Sequence, residues 1–489
     1  MITPFFSINQ DDEFIYIDVK ISHVRFSAQN IEMTVDNDLF IFSLNPYYLR
    51  IRLPFPCIDD ERSHARFDSA SECVKIKIPK LNKGQFFPDL DLTTKLLART
   101  SNITVEDKQT KKPMIEEIDV DNTIKSETVE SVMDEGEKFN WEISQTEAKD
   151  NELVGGDVTL TNIKYGFNNQ YESIINVSMS NGNDINELGD PEATTANDKI
   201  IERLIKENIK FDPEYYASDY ILETFPIEDD DKSYKTMLEW KNPTTKQFLS
   251  WYKLQQSLPD SEKLQLMAVE FSKDEQEKMI NLPRKSYIIE DAYKPQLLML
   301  ILSLLFSYHF DLRENDGEHT IESAWTIGKL TPQFAFLDSQ IVIDNQDNLL
   351  KATIITSIRR ALSYPYHRNY NVCIKAWEDV YYNLRGGKRF ILKSLLKLKE
   401  LFRFHDVYYV YDKIWLEDLC TWVISDSLSE GTIRNLAHDL IKVYSNLKKT
   451  DITFEKVDPT VEDEEDNIVA LNLQEIEVMA RDLYNQSMV

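Results

Sequence analysis

The sequence offers one candidate for acid–base chemistry, the segment "RFHDVYYVYDK" at residues 403–413, in which His405 stands beside Asp406. A histidine next to a carboxylate could serve as a general base. On a helix, however, neighbouring side chains point about 100° apart, so these two could not form a dyad. A nucleophile would also need serine, threonine or cysteine, and the segment has none. We therefore expect a binding or packing surface here, in a protein that is not an enzyme.

Helical spacing divides the same segment into two faces. It groups His405 with Tyr409 and Asp412, and it groups Asp406 with Tyr409. Tyrosines and charged side chains mixed in this way are typical of protein–protein contacts, so we predict that these four residues face a partner. The stripe assigned to the core consists of Phe404, Tyr408 and Tyr411.

Other signatures of catalysis or cofactor binding do not occur. The glycine pair in "RGGKR" (385–389) lies between two predicted helices and favours a helix end followed by a turn over a phosphate loop. No HExxH, CxxC or histidine-rich tract has the spacing of metal ligands. We expect no cofactor and no metal. The four cysteines are far apart and predict reduced, mostly buried thiols.

The charge balance limits the possible partners. Among 489 residues, 84 are acidic and 55 are lysine or arginine, for a formal charge of -29. Such a surface repels DNA and RNA, so direct nucleic-acid binding is not expected. Two interpretations stay open: the charge aids solubility, or it attracts a basic partner, such as a protein that itself binds RNA.

Nothing in the sequence indicates a membrane. The start, "MITPFFSINQDDEF", lacks the charged head and apolar core of a signal peptide. The longest apolar run, residues 297–306, is too short to span a bilayer and predicts a buried helix. We expect a soluble, intracellular monomer.

Two folded domains and a linker are predicted, making the fold a multidomain one. Residues 1–99 hold about seven short alternating strands, such as "FIYIDVKI" (14–21), which indicate an all-β sandwich. Residues 100–155 are charged and lack a sustained apolar period, as a flexible acidic linker does. Helical periodicity dominates residues 156–489, which we predict to be a large all-α domain.

Within the predicted sandwich, Phe6, Ile8 and Gln10 share a face by parity, and Lys80 ends the last clear strand. Phe6, Gln10 and Lys80 are candidates for a second partner contact. Phe6 and Gln10 could instead only cover the sandwich edge.

In the helical part, "NDKIIERLIKENI" (197–209) places five apolar residues on one stripe, which we expect to face the core, behind an Asn197 or Asp198 cap. The stripe consists of Ile200, Ile201, Leu204, Ile205 and Ile209. In "KFDPEYY" (210–216), Asp212 is placed to cap a helix that begins at Pro213.

The chain resembles two known families in separate regions. The first 90 residues are similar to a CS domain, in "FSINQDDEFIYIDVKI" (6–21) and "LNPYYLRIRLP" (44–54), with Ile8 where that family often has tryptophan. The helical part resembles the SHQ-type assembly chaperones of H/ACA ribonucleoproteins, and the match is close to a fungal member. The segments that carry this resemblance are residues 180–220, "ESAWTIGKL" (322–330), residues 359–390 and "LFRFHDVYYVYDK" (401–413).

The resemblance implies a specific role. Members of this family bind the H/ACA pseudouridine synthase (dyskerin in animals), including its PUA domain, before it enters the particle. They stand in for RNA on its basic surface, prevent its aggregation and premature RNA binding, and are released by AAA+ ATPases. The resemblance implies a location in the nucleus, in the nucleoplasm, and also in the cytoplasm. The alternative is a co-chaperone adaptor whose CS domain recruits a heat-shock ATPase, an interaction that the substituted Ile8 position disfavours.

Overall fold

The computed structural model describes residues 3–21, 31–44, 47–60, 62–68, 73–97, 163–226, 233–259, 269–343, 348–457 and 468–487. The chain divides into two compact units, Met1–Val158 and Thr159–Val489. The residues predicted to form the acidic linker, 100–155, lie outside the described residues.

The first unit is a sandwich of two antiparallel sheets, as predicted. Its sheets have the strand orders β1-β2-β7-β6 and β3-β4-β5. Side chains from both sheets share one apolar core. The strands are β1 (Phe6–Gln10), β2 (Phe14–Lys20), β3 (Glu32–Asp36), β4 (Leu39–Leu44), β5 (Tyr47–Arg52), β6 (His64–Asp68) and β7 (Cys73–Pro79), followed by the short helix α1 (Thr93–Leu96).

The alternation in the sequence explains this core. In β2, Ile15, Ile17 and Val19 are fully buried, and the residues between them are not. The register pairs Ile17 with Ile8 of β1 and with Ile76 of β7, so apolar side chains from three strands lie side by side.

The second unit is mostly helical. Its larger helices surround a central helix, Lys294–Glu314, in which every residue from Met299 to Arg313 is buried. The helices are α2 (Ile175–Ser180), α3 (Ala196–Lys210), α4 (Pro213–Thr224), α5 (Ser233–Glu239), α6 (Pro243–Ser257), α7 (Lys273–Ile280), α8 (Lys294–Glu314), α9 (Ser323–Leu330), α10 (Pro332–Ala335), α11 (Leu349–Ala361), α12 (Tyr370–Arg385), α13 (Lys388–Arg403), α14 (Tyr409–Tyr411), α15 (Glu417–Ile424), α16 (Glu430–Ser445) and α17 (Leu473–Ser487).

The apolar run at 297–306 belongs to α8, which is 21 residues long and, by length and composition alone, could cross a membrane. Its most apolar 18-residue window is 83% buried within the protein. The burial fits the central helix of a packed domain, as the apolar run predicted.

The prediction that the second unit is entirely helical is wrong in one place. Strands β8 (Thr453–Val457) and β9 (Ile468–Asn472) form an antiparallel hairpin. Phe454 of β8 is fully buried and stacks on Phe211, with 3.7 Å between ring centroids, so the hairpin is packed into the helical core. Alternation over only five residues gave too weak a signal against the helices on either side.

The prediction for α3 is also wrong. Only Ile200 of the five apolar residues is buried, while the other four are 40–74% exposed. Lys199, Arg203 and Glu207 are buried instead. Arg203 pairs with Asp338, and Glu207 pairs with Arg359 and Arg360, all of which belong to other elements. The cap is Thr195, whose side chain accepts a hydrogen bond from the Asp198 N–H.

Several local predictions are confirmed. Asp212 caps α4, its carboxylate accepting the N–H of Glu214 and Tyr215. Gly386 ends α12, and Gly387 has a positive φ of 82°, which favours glycine. Of the four free cysteines, only Cys73 is not buried.

Candidate functional site: an acidic–aromatic surface

Three of the segments that are distinctive in the sequence meet at one place in the second unit. They are the loop 181–190, helix α9 and the turn that follows α13. We call the residues that they contribute, Asp184, Trp325, His405, Asp406 and Tyr408, the acidic–aromatic surface. Asp184 and Asp406 are exposed, and the three rings are half-buried.

Asp184 joins the three segments. One carboxylate oxygen accepts a 2.5 Å hydrogen bond from the Tyr408 hydroxyl, and the other accepts the Trp325 indole N–H at 2.9 Å. The pKa of the Tyr408 hydroxyl is raised by burial and by its bond to Asp184, so Tyr408 donates at neutral pH. An exposed carboxylate is thereby held between two aromatic side chains.

His405 lies in a turn beyond the end of α13, and not on a helix as predicted. Its Nδ1 accepts the backbone N–H of Val407 at 3.2 Å and of Tyr408 at 3.1 Å, so Nδ1 carries no proton. The imidazole stacks on the Tyr408 ring, with centroids 4.1 Å apart. His405 thus holds the turn and widens the flat surface next to Asp184.

Packing beneath the surface fixes the loop 181–190. Asn183 is buried, and its amide bonds the hydroxyl of the fully buried Tyr411, which stacks on Phe334 with centroids 4.7 Å apart. Gly328 of α9 permits the close approach of the loop, since a Cβ there would lie 2.5 Å from the Ile185 side chain.

A group of buried and half-buried charges contacts the same loop from the other side. We call Glu187, Arg203, Glu207, Lys329, Asp338, Arg359 and Arg360 the ion cluster. Glu187 accepts hydrogen bonds from Arg360 at 3.2 Å and from the Tyr364 hydroxyl at 2.9 Å. Lys329, which is 9% exposed, lies 3.4 Å from Glu187.

Glu207 is the centre of the ion cluster. Its side chain is fully buried and contacts Arg359 at 3.0 Å and both Arg203 and Arg360 at 3.3 Å. Burial alone would raise the pKa of the Glu207 carboxyl, but the three guanidiniums outweigh it and hold the pKa below its ordinary value of 4.5. Arg203 also pairs with Asp338 at 2.8 Å. These contacts join α3, α11 and the segment after α10.

The predicted partner-facing residues differ in exposure. Asp406 is exposed, and His405 and Tyr409 are half-buried, so all three reach the surface. Asp412 does not: it is 7% exposed, begins the π-helix Asp412–Leu416, and pairs with Lys399 at 2.9 Å. Asp412 was misplaced because the chain turns at His405 and the assumed continuous helix does not exist.

Burial also changes the pKa of Asp412. It raises the pKa of this carboxyl to about 6, although Lys399 opposes the rise. Among the residues predicted to form the core stripe, Tyr411 is fully buried, Tyr408 is half-buried and Phe404 is 66% exposed. The prediction for Phe404 is wrong for the same reason as that for Asp412.

In the first unit, two of the candidate contact residues are buried. Phe6 is 2% exposed and belongs to the sandwich core. Lys80 is 5% exposed, and its ammonium group donates to Gln10 at 2.8 Å and to the carbonyl oxygens of Asp11 and Gln85 at 2.7 Å each. Neither can contact a partner directly, so these predictions are wrong.

Gln10 is half-buried and ties β1 to the segment after β7. Its amide N–H donates to the Phe87 carbonyl at 2.7 Å, and its oxygen accepts the Phe87 N–H at 2.9 Å. Both ends of the amide are therefore engaged within the first unit.

The geometry of the acidic–aromatic surface is suited to binding. The His405 nitrogen that faces the chain is engaged with backbone N–H groups, and Asp184 is bonded to two aromatic donors. In the part of the chain that the structure describes, no group of three histidine, cysteine or acidic side chains could hold a metal ion. A carboxylate between flat rings is well suited to a cationic group such as a guanidinium.

Sequence reasoning missed Asp184 and Trp325 and misplaced Tyr408. Each lies in a segment that is distinctive in the sequence, "SNGNDINELGD" (180–190), "ESAWTIGKL" or "LFRFHDVYYVYDK". Their contacts join residues 141 and 224 positions apart, and nothing in the local pattern pairs them.

Comparison with known proteins assigns the family. The family model described as SHQ1 protein, Shq1 domain, matches residues 260–456, and that of the SHQ1-like CS domain matches residues 3–97. Protein shq1 of Schizosaccharomyces pombe is 32% identical over 476 residues, which cover 95% of this chain and 97% of that protein. The SHQ1 homolog of Xenopus tropicalis is 28% identical over 93% of this chain and 68% of its own, and that of Mus musculus 27% over 86% and 69%. The chain belongs to the SHQ1 family.

Proposed function

We propose that this protein is an assembly chaperone that binds the H/ACA pseudouridine synthase before the ribonucleoprotein assembles and occupies its RNA-binding surface, including the PUA domain. Membership of the SHQ1 family supports the general role in H/ACA ribonucleoprotein assembly. The RNA mimicry and the identity of the client are our proposal.

The single observation that carries the mimicry is the Asp184 carboxylate held between Tyr408 and Trp325. An RNA-binding protein presents lysine and arginine to phosphates and flat groups to bases. The acidic–aromatic surface offers acceptor oxygens and rings at fixed positions, on a chain of net charge -29. Such a surface attracts a cationic groove and competes with RNA for it.

The experiment is calorimetric titration of the full chain with a purified H/ACA pseudouridine synthase. Asp184→Asn keeps the size of the side chain and removes its charge; the amide oxygen can still accept the Trp325 N–H, and the amide NH2 would donate to the Tyr408 hydroxyl. We expect a dissociation constant about ten- to a hundredfold higher. The affinity of the variant should also fall less steeply with added salt. Asp426→Asn, at an exposed aspartate outside the surface, is the matched control. Equal binding by Asp184→Asn and wild type would remove this surface from the interface.

Further parts of the proposal follow from the family resemblance. We propose that the chain acts as a monomer in the nucleus, in the nucleoplasm and also in the cytoplasm, that residues 100–155 link its two units, and that AAA+ ATPases drive release of the client. The alternative function is an adaptor that recruits a heat-shock ATPase through the CS domain. Titration of the full chain with that ATPase separates the two, since only the adaptor requires tight binding.

A further inference from the structure

The turn that follows α13 is closed by a histidine nitrogen that acts as an acceptor. His405 Nδ1 accepts the backbone N–H of Val407 at 3.2 Å and of Tyr408 at 3.1 Å. A protonated Nδ1 would itself be a donor and would point its hydrogen at these two N–H groups. The turn can therefore keep this geometry only while the imidazole is neutral, with its single proton on Nε2.

The turn sets the position of Tyr408 in the acidic–aromatic surface. The Tyr408 ring lies on the His405 imidazole, with 4.1 Å between centroids and 14° between the ring planes. The Tyr408 hydroxyl donates to Asp184 at 2.5 Å. His405 thus holds both the backbone and the ring of Tyr408. If the turn opened, Asp184 would lose one of its two aromatic donors.

Three carboxylates lie around the turn. Asp406 follows His405 directly and is exposed. Asp184 contacts Tyr408, and the exposed Glu322, at the start of α9, is close enough to add to the effects of burial and of Asp184 that raise the pKa of the Tyr408 hydroxyl. These groups give the surface its negative charge.

The cations around the turn come from three elements. Arg403, at the end of α13, lies 3.8 Å from Glu400, and Lys329 of α9 lies 3.4 Å from Glu187. Lys413, in the π-helix that follows, is half-buried. A protonated ring at position 405 would add one more positive charge to a surface that is proposed to attract a cationic client.

We propose that His405 is a positioning residue of the acidic–aromatic surface and makes binding of the client depend on pH. The neutral ring holds Tyr408 against Asp184, whereas protonation of Nδ1 opens the turn and adds a positive charge. Both changes weaken the attraction of a cationic client, so the affinity falls as the pH falls. This inference rests on the proposed function and adds the regulation of the same site.

The test is calorimetric titration of the full chain with the purified pseudouridine synthase at about pH 7.5 and about pH 5.5. An imidazole with the ordinary pKa of about 6.5 is neutral in roughly one molecule of ten at the lower pH, so the dissociation constant of wild type should be about tenfold higher there. In His405→Asn, the amide oxygen can accept the same two N–H groups, as in an Asx turn, and does not titrate. This variant should bind more weakly than wild type at the higher pH, because the stacked ring is lost, but its dissociation constant should rise about tenfold less on acidification.

Two controls isolate His405. Titration of the client itself affects wild type and variants alike. Asp412, whose pKa is about 6, titrates in the same range but is present in both proteins, so its effect cancels in the comparison. His438→Asn, at an exposed histidine of α16, should keep the pH dependence of wild type.

A measurement on the free chain separates this inference from the proposed function. The nuclear magnetic resonance signal of the Trp325 indole N–H, assigned with Trp325→Phe, should move on acidification in wild type and much less in His405→Asn, because its acceptor Asp184 is disturbed only when the turn opens. If wild type does not bind the synthase at either pH, the proposed function fails, and the free chain still tests the turn. If wild type binds with the same pH dependence as His405→Asn, the proposed function stands and the inference is wrong. Loss of the pH dependence in His438→Asn, or a proton on His405 Nδ1 at neutral pH, would also overturn the inference.

Discussion

Glu207→Gln tests whether the ion cluster stabilises the part of the protein that carries the acidic–aromatic surface. The substitution keeps the size of a fully buried side chain but removes the anion that three guanidiniums contact at 3.0–3.3 Å. Removing one partner of a buried ion pair costs about 3–5 kcal/mol, because the remaining charges stay buried without compensation. That loss is a large share of the ~5–15 kcal/mol by which domains are stable.

The assay is urea unfolding followed by circular dichroism, with thermal unfolding alongside. We expect the free energy of unfolding to fall by about 3–5 kcal/mol and the melting temperature by roughly 10 °C. Glu202→Gln, at a half-buried position on the same helix, is the control and should change stability by less than about 0.5 kcal/mol. A Glu207→Gln variant as stable as Glu202→Gln would refute the reasoning.

The pH dependence of the free energy of unfolding provides a second test with the same variant. The pKa of Glu207 is lower in the folded protein than its ordinary value of 4.5. Its contribution is therefore fully present above pH 4.5 and is lost as pH falls through the folded pKa. The difference in unfolding free energy between wild type and Glu207→Gln should be constant near neutrality and shrink in acid. A difference that grows on acidification would contradict the assignment.

Three further predictions concern other parts of the chain. The pKa of Asp412 is raised to about 6, so the stability that its protonated form contributes is present below pH 4 and is lost as pH rises through 6. Relative to Asp412→Asn, the free energy of unfolding of wild type should increase by up to about 2–3 kcal/mol between pH 7 and pH 4. Stability curves of the two proteins that run parallel with pH would contradict this. Gly328→Ala should lower the free energy of unfolding by about 1–3 kcal/mol and weaken synthase binding, because its Cβ would meet the Ile185 side chain. Adding Ile185→Ala should recover part of the lost stability. Strictly additive effects of the two substitutions would argue against the clash. Lys80→Met should lower the free energy of unfolding of the first unit by at least about 2 kcal/mol, because three acceptors lose their donor. Unchanged stability in urea would mean that Lys80 has no structural role, and it would again be a candidate contact residue.

The alternation of apolar and polar residues predicted the sandwich, because every second side chain of a strand faces the core there. Ile15, Ile17 and Val19 alternate in the sequence and are all fully buried. The same reasoning failed for α3, since helical periodicity records which residues share a face and not which face is inside. Arg203 and Glu207 are inside only because Asp338, Arg359 and Arg360 meet them there.

The sequence identified a segment of the candidate site but did not predict which residues form it. The segment around His405 was identified, and its turn was not, because a helix assumed to continue beyond Arg403 assigns Phe404, Tyr408 and Asp412 to wrong faces. That error placed Asp412 at the surface and Tyr408 in the core. Asp184 could be found only once the fold had brought residues 184, 325 and 408 together.

The proposed function requires that this protein and RNA compete for one surface of the client. The most direct measurement is a fluorescence anisotropy titration in which the full chain is added to a complex of the H/ACA pseudouridine synthase with labelled guide RNA. We predict that the chain displaces the RNA, with a half-maximal concentration that rises in proportion to the RNA present, and that Asp184→Asn displaces it less effectively. Formation of a ternary complex, in which synthase, RNA and this protein are bound at the same time, would contradict the account.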